Sequence, residues 1–156
     1  MPVPTPGYVK NIIRRCFQEQ VDKSPTKKQT TEIWEYFDST CAYCGVALNR
    51  GNKEGHIDHL VSASQGGSNN VSNRVLSCAR CNEKEKRDKN WKEFLEKKVI
   101  DEDKRKERIE RITRWVELQT QEGTDISEKL LHTAGDLARE SEKIFDDGIN
   151  TIRSLK

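Results

Sequence analysis

Residues 55–82 read GHIDHLVSASQGGSNNVSNRVLSCARCN, and two of the chain's three histidines fall within the first five of these positions. Two short β-prone pieces, Gly55 to Val61 and Arg74 to Ser77, enclose a run rich in Gly, Ser and Asn. That pattern predicts two strands joined by a polar loop. Alternate side chains of a strand share a face, so His56 and Asp58 are expected on one side and Ile57 and His59 on the other. From about Asn82 the sequence NEKEKRDKNWKEFLEKK predicts helix.

Working outward, the stretch closes on CARCN (Cys78, Cys81), and an earlier CAYCG (Cys41, Cys44) precedes it with 33 residues between the two pairs. Each C-x-x-C supplies two thiolates from one tight turn, and two of them complete a tetrahedral four-sulfur site that suits Zn2+. Such a site is closed, so the zinc is expected to be structural and to supply folding free energy to a small polar module. Iron–sulfur or redox use of the same cysteines is the weaker alternative. The fifth cysteine, Cys16, has apolar neighbours on a helix and is expected in a core.

Composition sets the wider frame. Of 156 residues, 35% are charged and 33% apolar, which points to a thin or metal-stapled structure rather than one thick core. No apolar run is long enough to span a membrane, and MPVPTPGYVK carries no secretory core, so a cytoplasmic location without membrane association is expected. The net charge of +2 is uneven. Residues 1–100 hold 17 Lys/Arg against 12 Asp/Glu, and residues 101–156 hold 11 against 14, so the first part is better suited to face a polyanion.

Outside the central stretch the chain reads as helices. MPVPTPG is an extended arm, and an amphipathic helix follows with Val9, Ile12, Ile13, Cys16, Phe17 and Val21 at 3–4 spacing, ending at Ser24-Pro25. A second helix is expected from Thr26 to Phe37. Beyond the core, DEDKRKERIERITRWVELQTQ predicts a helix with Ile109, Ile112, Trp115 and Val116 on one face. Gly123-Thr124-Asp125 breaks it, and a last helix from Ile126 to about Leu155 places Leu130, Leu137 and Ile144 at heptad spacing. These two helices are expected to form a hairpin, packed on its own domain or used for dimerisation or partner docking. The expected segments are 1–37 (arm and helices), 38–98 (core) and 99–156 (C-terminal hairpin).

Asp58-His59, then GGSNNVSN with Asn73, then LSCARCN with Asn82, bracketed by the two cysteine pairs, resembles the HNH or ββα-metal nuclease family. The key positions lie 14 and then 9 residues apart, and the resemblance covers roughly residues 38–95. It implies an α+β fold, a zinc-stapled ββα-metal core flanked by helices. It implies a DNA endonuclease in which His59 is the general base, Asp58 and Asn82 ligate one Mg2+ or Mn2+, and Asn73 holds the loop and orients the His59 imidazole. Products with a 5′-phosphate and a 3′-hydroxyl follow from the same precedent.

Residue chemistry agrees with those roles. A histidine titrates near neutrality, and a hard cation with few protein ligands leaves sites for phosphate and water. Departures are present: Leu60-Val61-Ser62 replaces the family's frequent proline, and Glu85 stands where many members carry lysine. Phosphate contacts are therefore assigned to Arg74, Arg80, Lys84, Lys86 and Arg87, with Lys89 nearby. His56 is left open between metal, phosphate and solvent. The rival readings are a non-catalytic zinc-dependent nucleic-acid-binding module, or a nuclease subunit targeted by a partner in a phage-defence or phage packaging complex.

Overall fold

A computed structural model of the chain describes residues 3–121 and 128–155. Contacts divide it into two compact units, Ser24–Thr124 and the pairing of Met1–Lys23 with Asp125–Lys156. The architecture is α+β: a two-stranded sheet with helices before and after it in the chain.

The larger unit opens with a helix, Lys27–Tyr36 (α2; α1 belongs to the other unit). Thr26 starts it through a capping box, in which its hydroxyl accepts from Gln29 N–H and the Gln29 side chain reaches back to Thr26 N–H. α2 buries Ile33 and Trp34. The chain then makes the first cysteine turn, tied by a bridge between Thr40 and Ala47 and by Cys41 N–H donating to Val46 O at 2.9 Å. Gly45 closes this turn at φ +74°, a conformation that disfavours other residues, and a Cβ there would meet the Arg108 guanidinium at 2.6 Å. Arg108 in turn donates to Tyr43 O at 2.7 Å.

Strands β1 (Gly55–His59) and β2 (Arg74–Cys78) pair antiparallel, with Asp58 opposite Val75 and His59 opposite Arg74. Both fall within a residue or two of the stretches the sequence marks as β-prone. The connecting loop contains two short 3-10 turns, Ala63–Gln65 and Val71–Asn73. Gly67 is required by close approach, since a Cβ on it would lie 1.8 Å from Val61 O.

The helix expected from Asn82 is broken in two. Arg80–Lys86 is π-helical, Arg87 follows at φ +51°, and a new helix, Trp91–Lys98 (α3), begins under an Asn90 cap whose Oδ1 accepts from Lys92 and Glu93 N–H. Asn90 is a strong cap former, which explains why the helical pattern restarts there. Helix α4 (Glu102–Gln121) then packs on the Val71–Asn73 turn and on α3. It delivers fully buried Ile112 and nearly buried Trp115 into the core with Phe37, Leu76 and Leu95. Trp115 sits against Tyr36 and Phe37 at ring-centroid distances of 4.8 and 6.0 Å. Each such side chain contributes about 1.5–3 kcal/mol by burial.

The smaller unit pairs α1 (Pro6–Val21), capped by Thr5, with α5 (Glu128–Ser154). This corrects the expected hairpin: the packing partner of α5 is α1, while α4 belongs to the core unit. The reason lies in the faces. α4 commits Ile112 and Trp115 to the core, whereas α5 turns Ala134 and Ala138 inward and meets α1 through the pairs Lys10–Asp146 (2.8 Å) and Arg14–Glu142 (2.5 Å). Cys16 is exposed, contrary to expectation, because α1 buries none of its residues. The expected break at Gly123–Asp125 lies outside the described residues. Among the described residues, no helix is long and apolar enough to cross a membrane.

Candidate active site and metal cluster

Cys41, Cys44, Cys78 and Cys81 converge, with all four Sγ atoms within 4.8 Å of one another. Cys44 and Cys78 lie 3.8 Å apart, the edge of a tetrahedron built on metal–sulfur bonds of about 2.3 Å. The second turn also directs Cys81 N–H at Cys78 Sγ (3.4 Å), as in a metal-binding knuckle. Hydrogen bonds from Cys44 and Cys81 pull the Cys41 thiol down, and giving them pushes Cys44 up to about 11 and raises Cys81 as well. Four thiols this close cannot all ionise without a cation between them, so the donor set fits a closed four-thiolate metal site.

The zinc-type knuckle reaches the rest of the site through Tyr43. This residue, between Cys41 and Cys44, is fully buried and donates its hydroxyl to Asp58 Oδ2 at 2.9 Å. Burial first, and then the Asp58 charge, push the Tyr43 phenol well up, so it stays a donor. Asp58 Oδ2 also lies 3.4 Å from the buried Lys86 Nζ. That ammonium donates to His59 O at 2.6 Å and to Arg87 O at 3.2 Å. Burial raises the Asp58 carboxyl, while Lys86 and the Tyr43 hydroxyl pull it back toward the ionised form.

β1 and the Arg80–Lys86 segment therefore face one another with matched spacing. Lys86 stands opposite Asp58, and Asn82, four residues earlier, approaches His56 Nδ1 at 3.4 Å, two residues earlier on the strand. Glu83 Oε1 is also 3.4 Å from His56 Nδ1. Asp58 thus meets Lys86 and Asn82 meets His56 where the strand and the segment face one another. A carboxylate and a carboxamide are hard oxygen donors of the kind Mg2+ or Mn2+ accepts, and in residue type they fit such an ion.

His59 points to the other side of β1. Its Nε2 lies 3.1 Å from Asn69 Oδ1 and its Nδ1 2.9 Å from Arg74 Nη1, the cross-strand neighbour. Arg74 also donates from Nη2 to Asn69 Oδ1 (2.5 Å) and from Nε to Asn69 O (3.3 Å). Burial first, then the Arg74 charge, hold the His59 imidazole below its ordinary value, which favours the neutral ring.

Asn73 is a clamp on the loop. Its Oδ1 accepts from Val61 N–H (2.9 Å), and its Nδ2 donates to Val61 O (2.9 Å) and Ser68 O (2.7 Å). The ring of His59 is met by Asn69 and Arg74. Sequence reasoning treats Asn69 as a turn residue, a role that Asn70 does fill by accepting from Ser72 N–H at 3.0 Å.

The five cationic residues assigned to phosphate separate into two groups. Arg74 and Lys86 are buried and turned into the site. Arg80, Lys84 and Arg87 are exposed, with Arg80 bound to Glu85 (2.7 Å), which also holds Lys98 (2.5 Å). Tyr43 is absent from the sequence-derived site, and an aromatic inside a C-x-x-C turn is the one signal that marks it.

Two antiparallel strands and a following helical segment carry the four-thiol cluster, with Asp-His on the first strand. Residues 41–88 match the family model described as HNH endonuclease, from the first cysteine of the cluster to two residues beyond Lys86. That stretch is similar to the HNH endonuclease family, which supports a nuclease or nucleic-acid-related role in general. No curated protein matches the chain at a significant level.

Proposed function

We propose that the protein is a metal-dependent DNA endonuclease in which His59 activates water. The observation that carries this reading is a half-buried imidazole next in sequence to a buried carboxylate, on a strand fixed to the cysteine cluster by Tyr43. Zn2+ is the ion assigned to the four cysteines. Asp58 and Asn82 would hold Mg2+ or Mn2+, which supplies positive charge to the phosphate oxygens when bound.

The chain's own residues do the rest. His59 takes a proton from water as the water oxygen bonds to phosphorus. The P–O3′ bond breaks, and the departing 3′ oxygen takes a proton from solvent. Asn73 keeps Val61 and Ser68 in register so that the loop carrying Asn69 stays against the imidazole. Lys86 holds Asp58 and the His59 carbonyl together. Exposed Lys84 and Arg87 are the simplest phosphate contacts, with Arg80 available if it exchanges Glu85 for DNA.

One such site cuts one strand, so a double-strand cut needs two copies or two events. Exposed Leu130, Leu137 and Ile144 recur every seven residues on α5, which supports pairing of two copies through this helix. The rival reading, a binding module without catalysis, predicts DNA binding that is indifferent to His59.

The test is plasmid relaxation by zinc-loaded protein in Mg2+, Mn2+ or EDTA. Nicking is expected with either divalent ion and not with EDTA, and a folded His59→Ala variant should lose at least about 100-fold in rate. An His59→Ala protein that nicks as fast as wild type would overturn the mechanism.

A further inference from the structure

Both ring nitrogens of His59 are engaged, and the partners fix which of them holds the proton. A guanidinium only donates, so Nδ1, 2.9 Å from Arg74 Nη1, is the acceptor. Asn69 Oδ1 accepts from Arg74 Nη2, which fixes that atom as the amide oxygen, so the Nε2 facing it carries hydrogen. The only nitrogen of His59 with a lone pair is thus the one that Arg74 covers.

An Nδ1 that accepts a hydrogen bond from Arg74 cannot take a proton from water at the same time. The backbone of Arg74 is anchored, since its carbonyl accepts from Trp115 Nε1 at 2.8 Å and its strand position is paired to His59. Release therefore falls to the side chain. The ligand class that competes best for a guanidinium is a phosphate, whose oxygens take two parallel N–H bonds and carry full charge, where His59 Nδ1 and the two Asn69 oxygens are all neutral acceptors.

We infer that Arg74 is a substrate-operated cap on the base: a phosphodiester entering the site draws the guanidinium from His59 Nδ1 and uncovers it for water. The inference rests on the reading of His59 as the base, and it makes Arg74 a positioning residue for His59 and a ligand of the phosphate. The base is then exposed only when a phosphate lies beside it. Asn69 stays on Nε2–H throughout and keeps the ring from rotating as Arg74 leaves.

The test is 15N NMR of the histidine side chains in the full, zinc-loaded chain, with His59 assigned by comparison with His59→Gln. Without ligand, the His59 Nδ1 resonance should be that of a hydrogen-bonded acceptor. Titration with a short DNA duplex in EDTA-free buffer without added Mg2+ or Mn2+ should move it downfield to the position of an unbonded imidazole nitrogen. Arg74→Gln should show the unbonded position before DNA is added. In steady-state cleavage, Arg74→Gln should raise KM about tenfold, the loss of one charged hydrogen bond, with a smaller change in kcat.

An Nδ1 resonance that millimolar duplex leaves in place overturns the inference, as does an Arg74→Gln protein whose kcat falls at unchanged KM. The NMR titration on wild type stands alone if Arg74→Gln does not fold. It also needs no cleavage, so a protein that shifts Nδ1 but fails to nick DNA refutes the nuclease reading, and with it the base, and keeps only the phosphate-driven release of Arg74 from Nδ1.

Discussion

Tyr43 donates its hydroxyl to Asp58 Oδ2 at 2.9 Å, and this bond joins the first cysteine turn to the carboxylate beside the candidate base. Both groups are buried, and the acceptor is charged when ionised, so the bond belongs to the stronger class. Tyr43→Phe keeps the ring against Phe94, which it meets edge-on at 5.4 Å, and removes only the hydroxyl. The expected loss is about 1.5–3 kcal/mol in urea unfolding. A variant as stable as wild type would show that Lys86 alone satisfies Asp58.

The cluster itself should be indispensable. Structural zinc binds with roughly 10–16 kcal/mol, comparable with the whole stability of about 5–15 kcal/mol of an ordinary domain. Cys78→Ser, or prolonged chelation, is expected to abolish the cooperative unfolding of the core and the nicking activity together, with zinc content followed by a colorimetric chelator. Activity that survives at zero bound zinc would refute a structural role for the metal.

A pH dependence follows from the surroundings of His59. Burial and the Arg74 charge hold its imidazole below the ordinary value of 6.5, so the basic form persists to lower pH than in a free histidine. The sign is that nicking should be flat from pH 7 upward and fall as pH drops through a midpoint below 6.5. The same depression means that the folded state binds this proton less readily than the unfolded chain. The stability His59 contributes is therefore present above pH 6.5 and is lost as pH falls below it. A rate profile measured under single-turnover conditions with a midpoint above 6.5 would contradict the burial of the ring.

The legibility of this site in the sequence follows the range of the interactions. Cysteine pairing is marked by residue type at short fixed spacing, and the four thiols converge as that spacing predicts. Asn73 holds the loop through Val61 and Ser68, while the His59 ring it is expected to orient meets Asn69 and Arg74 instead. What escapes is set by packing across elements. Lys86 looks like one of several exposed helix cations until the π-helical turn points it inward at Asp58. Arg74 looks like a phosphate contact until its place opposite His59 in the sheet register is known. Nothing in the period of α4 or α5 says which neighbour each will choose. Their apolar stripes alone make a hairpin of them, whereas α4 commits Trp115 to the core and α5 packs on α1.

Packing on α1 leaves α5 with apolar residues that α1 does not cover. Leu130, Leu137 and Ile144 are 55%, 45% and 68% exposed at seven-residue spacing, the spacing of a helix-pairing seam. A second copy presenting the same seam would bury it through a self-complementary contact. Wild type is expected to run as a dimer in size-exclusion chromatography with light scattering at micromolar concentration. Leu137→Glu should run as a monomer with its nicking rate per site retained and its double-strand cutting reduced at least about tenfold. A wild-type protein that is monomeric at high micromolar concentration would show that this seam belongs to a different partner.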